Sequence, residues 1–255
     1  MTSWTALLLA GSRPGGDPLT RSLGTDYKPL IPVAGEPMVL RPLRTLLASP
    51  SVRSICVLTQ APERLAGIMP ADGRVALERS RSTIAETLEA ILADPATSYP
   101  LLVTTADHAL LTPRMVEDFL AGSTECDVAI GTVESRPLLE RFPDAQRTWL
   151  RIGRGRYSGA NLFALNSPEA ALAVAKWRSV EQDRKKGWRV LAQLGLPLFL
   201  GAVLRVRNID QTARGMGRRL GIRIKPVVMN DPLAAIDIDK PADYSLVELI
   251  LAGRA

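Results

Sequence analysis

TALLLAGSRPGGDPLTRSLGTDYKPLIPVAG, residues 5–35, is a short apolar run, then a loop carrying glycines and arginines, then a lone lysine. Thr5 to Ala10 reads as a β-strand that ends at Ala10-Gly11. The loop after it holds Gly11, Gly15, Gly16 and Gly24, with Arg13 and Arg21, and closes on Lys28. Glycine admits positive φ and lets backbone N–H groups turn toward an anion. Arginine adds a planar fork and lysine a compact charge for phosphate oxygens. Chemically the loop is a cradle for a triphosphate. It is not a P-loop, because no Gly-Lys-Ser/Thr follows, and it lacks the G-x-G-x-x-G of dinucleotide binding.

Outward from this stretch, strand and helix patterns alternate, which predicts an α/β fold with a mainly parallel, Rossmann-like sheet and flanking helices. Strands are expected at Arg53–Gln60, Arg74–Glu78, Leu101–Thr105 and Asp127–Glu134. Pro37–Ala48 and Thr83–Asp94 read as helices, the latter with an apolar face at Ile84, Leu88, Ile91 and Leu92. Thr112 and Pro113 open another helix that closes at Gly122. In the second half, Trp149–Ile152, Asn161–Leu165 and Ile222–Met229 read as strands, and Ser167-Pro168-Glu169 starts a helix. A last helix covers Ala242–Leu251. A single domain over 1–255 is expected, with a basic, partly apolar helical lobe at 176–221.

The 255 residues are 46% hydrophobic and 23% charged, enough to bury a sizeable core. The two cysteines, Cys56 and Cys126, sit in apolar runs and read as buried free thiols in a reducing compartment. One histidine excludes a zinc site built on several imidazoles. With neither a basic leader followed by a long apolar core nor a run long enough to span a bilayer, a cytoplasmic location is expected. The net charge of +6 is uneven: residues 176–225 hold thirteen Lys/Arg against three Asp/Glu.

In open parallel sheets, ligands bind beyond the carboxyl ends of the strands. The glycine loop follows one strand and Asp107 follows Leu101–Thr105, so both belong on one edge. Asp237 and Asp239, in AAIDID, precede the last helix. Carboxylates facing a triphosphate loop suggest Mg²⁺ held by Asp107 and Asp237, since Mg²⁺ takes one or two carboxylates plus phosphate oxygens and waters. Asp239 has two readings, a member of this group or the N-cap of the last helix. His108 reads as a neighbour, not a ligand, because imidazole suits Mg²⁺ poorly.

These residues resemble the nucleotidyltransferases of the GT-A-like fold, the MobA-like NTP transferases, which include molybdenum-cofactor guanylyltransferase and methylerythritol-phosphate cytidylyltransferase. The resemblance rests on Leu9-Ala10-Gly11, Arg13 or Arg21, Lys28-Pro29-Leu30, Gly35-Glu36-Pro37, Asp107, Ser158-Gly159-Ala160-Asn161, and Asp237-Ile238-Asp239-Lys240-Pro241-Ala242-Asp243. Ser12 stands where the family has a second loop glycine, and the loop before Lys28 is longer. The resemblance implies transfer of a nucleotidyl group from an NTP, CTP or GTP, to a phosphorylated small-molecule acceptor, releasing pyrophosphate. CTP with a polyol- or alcohol-phosphate is the first expectation. It implies catalytic roles for Lys28 and for Arg13 or Arg21. Leu9, Ala10, Gly11, Ser12, Ser80, Ser82, Thr83 and Asp107 would bind the nucleotide. Gly159 and Asn161 would meet the acceptor, with Mg²⁺ on Asp107 and Asp237.

Two other classes stay in view. A glycosyltransferase of the related fold usually shows Asp-x-Asp after the central strand, but here the sequence is Asp107-His108-Ala109. A non-catalytic nucleotide-binding scaffold would tolerate loss of Lys28. Nucleic acid is not expected as a partner, for want of a recognised motif or aromatic platform. The apolar Val190–Leu204, with basic flanks over 185–207, reads either as core packing or as a peripheral contact with an anionic membrane, or a homodimer surface. The membrane reading predicts that the protein floats with anionic liposomes; absence from the lipid fraction removes it.

Overall fold

The computed structural model describes residues 3–12, 18–181 and 208–254. In chain order these form β1 (Trp4–Leu9), α1 (Pro18–Ser22), β2 (Pro32–Val33), β3 (Glu36–Pro37), α2 (Leu40–Ala48), β4 (Val52–Thr59), α3 (Pro62–Leu65) and β5 (Val75–Arg79). Then come α4 (Ile84–Leu92), β6 (Leu101–Thr105), α5 (Pro113–Gly122), β7 (Val128–Glu134), α6 (Ser135–Arg141), β8 (Leu150–Ile152) and β9 (Gly155–Leu165). The chain closes with α7 (Ala170–Glu181), α8 (Ile209–Leu220), β10 (Ile224–Val228) and α9 (Pro241–Leu251).

Among the described residues the main sheet runs β10-β7-β9-β6-β1-β4-β5, with β8 paired to β9. β1 pairs in parallel with β4 and β6, β4 with β5, and β7 with β10. β9 is antiparallel to β6, β7 and β8. The mainly parallel α/β architecture is the one the sequence predicts. β1 can be a continuous apolar run because both of its faces are covered. Ala6 and Leu8 join one core with Leu43 and Leu46 of α2, Phe119 of α5 and Val247 of α9. Leu7 joins the opposite core with Leu88 of α4, Val174 of α7 and Ala213 of α8.

Several helices start where side-chain caps allow. Thr83 accepts the Glu86 N–H at 3.1 Å and Thr112 accepts the Met115 N–H at 3.2 Å. Asn208 and Gln211 form a reciprocal capping box on α8. Other boundaries differ from expectation. The helix read from Pro37 begins at Leu40, because Glu36–Pro37 pairs with Pro32–Val33 as a hairpin turning through Ala34 and Gly35 at φ 49° and 81°. The strand read from Asn161 begins at Gly155 and lies between β6 and β7.

Of the stretch 176–221, residues 182–207 fall outside the described residues, and the 185–207 membrane reading falls there with them. The flanks are built into the domain: α7 and α8 supply Val174, Met216 and Leu220 to the same core as Leu88. Among the described residues no helix is long and apolar enough to cross a membrane.

α8 packs tightly where it turns back into β10. A Cβ on Gly217 would lie 2.4 Å from the Ile222 carbonyl oxygen and 3.0 Å from the Ile224 nitrogen, both backbone atoms. Alanine is favoured over glycine in a free helix by about 1 kcal/mol. Here the clash wins: Gly217→Ala is expected to destabilise by about 1–3 kcal/mol, measured as a lower urea midpoint.

Candidate active site

The carboxyl ends of β1, β4 and β6 share one edge of the sheet, and the site lies there. The Ala106 N–H donates to Leu9 O at 2.9 Å and the Ala10 N–H to Leu58 O at 2.8 Å, so the three strands leave the sheet together. A cavity of about 410 Å³ opens beyond them, lined by Leu9, Gly11, Ser12, Lys28, Gln60, Ser82, Thr83, Thr105, Asp107, Asn161, Asp237 and Asp239. The Gln60 side chain receives the Ser12 N–H at 3.0 Å and so fixes the start of the glycine loop.

Lys28 is positioned by its neighbours. Tyr27 is buried and its hydroxyl bonds the Thr59 hydroxyl at the end of β4; Pro29 is buried on the other side. With both neighbours anchored, Lys28 opens a 3₁₀ turn, Lys28–Leu30, and its side chain crosses to the carboxylates. Its ammonium lies 2.6 Å from Asp107 Oδ2 and 2.8 Å from Asp239 Oδ1. Burial works against the charge, but Asp107 and Asp239 outweigh it and hold the Lys28 pKa above the ordinary lysine value. Lys28 is therefore a permanent cation.

Asp107 also accepts the Thr105 hydroxyl at 2.5 Å, and its backbone carbonyl accepts the Ile238 N–H at 3.1 Å. That backbone bond sets Asp237 and Asp239 beside it. Asp237 receives the Asn161 amide at 3.0 Å and Arg147 Nη1 at 2.6 Å. Asn161 reaches it from a bulge in β9. Thr132 pairs with Gly159 but Ile130 with Phe163, so the intervening stretch of β9 is looped out and Asn161 takes φ 48°. Gly131 faces the bulge; a Cβ there would sit 3.0 Å from the Leu162 Cβ.

Burial, with Asp107 and Asp239 nearby, pushes Asp237 up to about 6 in spite of Arg147 and Asn161. Asp239 is not the cap of the last helix. Its own N–H donates to Asp243 at 3.2 Å, as does that of Lys240 at 2.9 Å, while its carboxylate pairs with Lys28. Among the described residues, four carboxylates (Asp107, Asp237, Asp239, Asp243) thus pair with Lys28 and Arg147. Asp107, Asp237 and Asp239 place hard oxygen donors on the wall of the cavity, a donor type that suits Mg²⁺. Among the described residues no three metal-ligating side chains converge into a complete cage. For Mg²⁺ this is ordinary, since phosphate oxygens and waters complete its shell.

Not every residue read from the sequence meets here. Ala10 is fully buried and does not line the cavity, its N–H spent within the sheet. Ser80 also bonds back into the sheet through its N–H, to Thr59, and borders a separate hollow with Arg81 and Arg178. Gly159 is on β9 opposite Thr132, outside the lining. Arg21 is exposed on α1, and it does not line the cavity either; Arg13 lies outside the described residues. Thr83 lines the cavity, but its hydroxyl caps α4. His108 turns into the core, where burial holds its pKa down to about 4 against the pull of Asp107. Arg147, Gln60 and Thr105 were not legible as site residues. Gln60 and Thr105 are polar residues at the ends of strands, a usable signal; Arg147 sits in an irregular stretch with none.

The sequence pattern of the MobA-like NTP transferase domain matches residues 6–198. The chain belongs to that family. No curated protein matches it. Among solved structures, a hypothetical transferase from Thermus thermophilus superposes with a TM-score of 0.79 at 26% identity, over 96% of this chain and 100% of that one. The 4-diphosphocytidyl-2C-methyl-D-erythritol synthase of Anaerococcus prevotii gives 0.61 at 11% identity, over 98% and 96%. A CMP:2-keto-3-deoxy-manno-octonic acid synthetase complexed with CTP gives 0.59 at 14% identity, over the whole of both chains. The latter two share the fold of this NTP transferase.

The raised Asp237 makes a pH prediction for the NTP transferase kept in a chelator. The folded protein holds this proton more tightly than the unfolded chain does, so the group's contribution to stability is greatest below about pH 4 and is lost as pH rises to about 6. Asp237→Asn removes that slope, a change on the order of 2 kcal/mol across the window, read from urea unfolding at a series of pH values. Parallel pH profiles for the two proteins would contradict it.

Proposed function

We propose that this NTP transferase moves a nucleotidyl group from an NTP, with CTP the first choice, onto a phosphorylated small molecule, releasing pyrophosphate. The observation that carries this is the meeting of Lys28 with Asp107, Asp237 and Asp239 at one cavity beside Gly11 and Ser12. An acceptor phosphate oxygen attacks the α-phosphorus, the bond to the bridging oxygen breaks, and pyrophosphate leaves. The nucleophile is already ionised, so no protein base is required. Positioning and charge stabilisation carry the rate.

Lys28 supplies the fixed cation for the α-phosphate. Gly11 turns its backbone toward the triphosphate, with Ser12 held on Gln60, and Arg13 meets the leaving pyrophosphate. Asp107 and Asp237, with Asp239 beside them, would hold Mg²⁺, which when bound neutralises phosphate charge. Leu9, Ser82 and Thr83 wall the base side, and Asn161 faces the acceptor. Support for CTP comes from the names of two proteins of the same fold, a diphosphocytidyl synthase and a synthetase complexed with CTP.

The test is a pyrophosphate-release screen of four NTPs against sugar, polyol and amino-alcohol phosphates with Mg²⁺. One pair is expected to release pyrophosphate, and Lys28→Ala to slow it by about 10²-fold or more. Release at the wild-type rate by Lys28→Ala would overturn the mechanism.

A further inference from the structure

Arg147 belongs to no motif of the sequence, yet its side chain is only 7% exposed and is committed to one task. Nη1 lies 2.6 Å from Asp237 Oδ1, and Nη2 donates to the Asp237 carbonyl at 3.2 Å. Nη2 also lies 3.0 Å from Asp243 Oδ1. The guanidinium therefore grips both the side chain and the backbone of Asp237. It braces them against Asp243, whose carboxylate takes the N–H groups of Asp239 and Lys240 at the start of α9. The Asn161 amide holds the other oxygen of Asp237. Arg147 Nε is buried with no partner among the described residues. An unsatisfied buried donor costs stability. The guanidinium's paired donors, Nη1 and Nη2, are both spent on Asp237 and Asp243.

We infer that Arg147 is a positioning residue: it fixes the rotamer and backbone of Asp237 at the wall of the cavity. This rests on the reading of Asp237 as a metal-holding residue. Lysine cannot replace Arg147, because one ammonium cannot make two parallel contacts on Asp237 and a third on Asp243. Residues that orient metal-holding side chains typically change metal affinity by about 10–100-fold when replaced.

The probe is Mn²⁺ in the presence of inorganic tripolyphosphate, which needs no knowledge of the base or acceptor. Binding is followed by the loss of the free-ion electron paramagnetic resonance signal. Arg147→Lys is expected to weaken Mn²⁺ by about tenfold, while tripolyphosphate binding in EDTA stays as in the wild type. In an Asp237→Asn background, Arg147→Lys should change nothing further, because Arg147 would act only through Asp237. Arg147→Met strips both carboxylates of their cation; should it fail to fold, the lysine variant carries the test. Equal losses in both backgrounds, or no loss in either, overturn the inference and leave the proposed function standing. Equal Mn²⁺ affinity of wild type and Asp237→Asn, including no binding by either, removes the metal role of Asp237 and this inference with it.

Discussion

The structure depends on a concentration of acid at one edge of the sheet. Four aspartates from two distant segments gather there, and Lys28 and Arg147 pair with them. Lys28 lies between Asp107 and Asp239, and Arg147 between Asp237 and Asp243. Remove either cation and the partly buried carboxylates it pairs with lose that compensation, which is unfavourable in a medium of low polarity. The fold must hold the acids together against their repulsion.

The restraint is supplied at three places. β6 delivers Asp107 directly from its end, and the hydrogen bond from Ile238 N–H ties the C-terminal segment to it. The antiparallel β9, inserted between β6 and β7, carries the bulge that presents Asn161. Helix α9 docks on the hairpin that follows Lys28: Tyr244 donates to the Pro32 carbonyl at 2.9 Å and the Ala34 N–H to Glu248 at 2.6 Å. These contacts join the two segments that bear Lys28 and Asp239, residues 211 positions apart. The ion pair is thus a consequence of backbone docking as much as of attraction.

The family pattern covers residues 6–198 of this chain. The synthases of similar fold share little sequence with this chain, so what they have in common with it is the fold. Function on such a scaffold is set by the few side chains that the edge presents. In this chain they are Lys28, the aspartates and Asn161, with Gln60 fixing the loop. His108, the single histidine, is spent in the core and contributes no proton chemistry to the cavity.

The α/β class and the placing of Lys28 and the aspartates at 107, 237 and 239 at the sheet edge were legible in the sequence. Each is marked by local rules: apolar strands, turn chemistry and acids placed at strand ends or helix starts. Such rules act over a few residues and survive any tertiary arrangement. Only the folded chain decided that Asp239 pairs with Lys28 instead of capping α9, that Ser80 and Gly159 stay out of the cavity, and that Arg147 holds Asp237. Those outcomes depend on the register of β9 and on pairings across 90 to 211 positions. Hydrophobic periodicity says which residues are buried, but not which strand an antiparallel insertion will lie beside, and so it leaves side-chain partners undetermined.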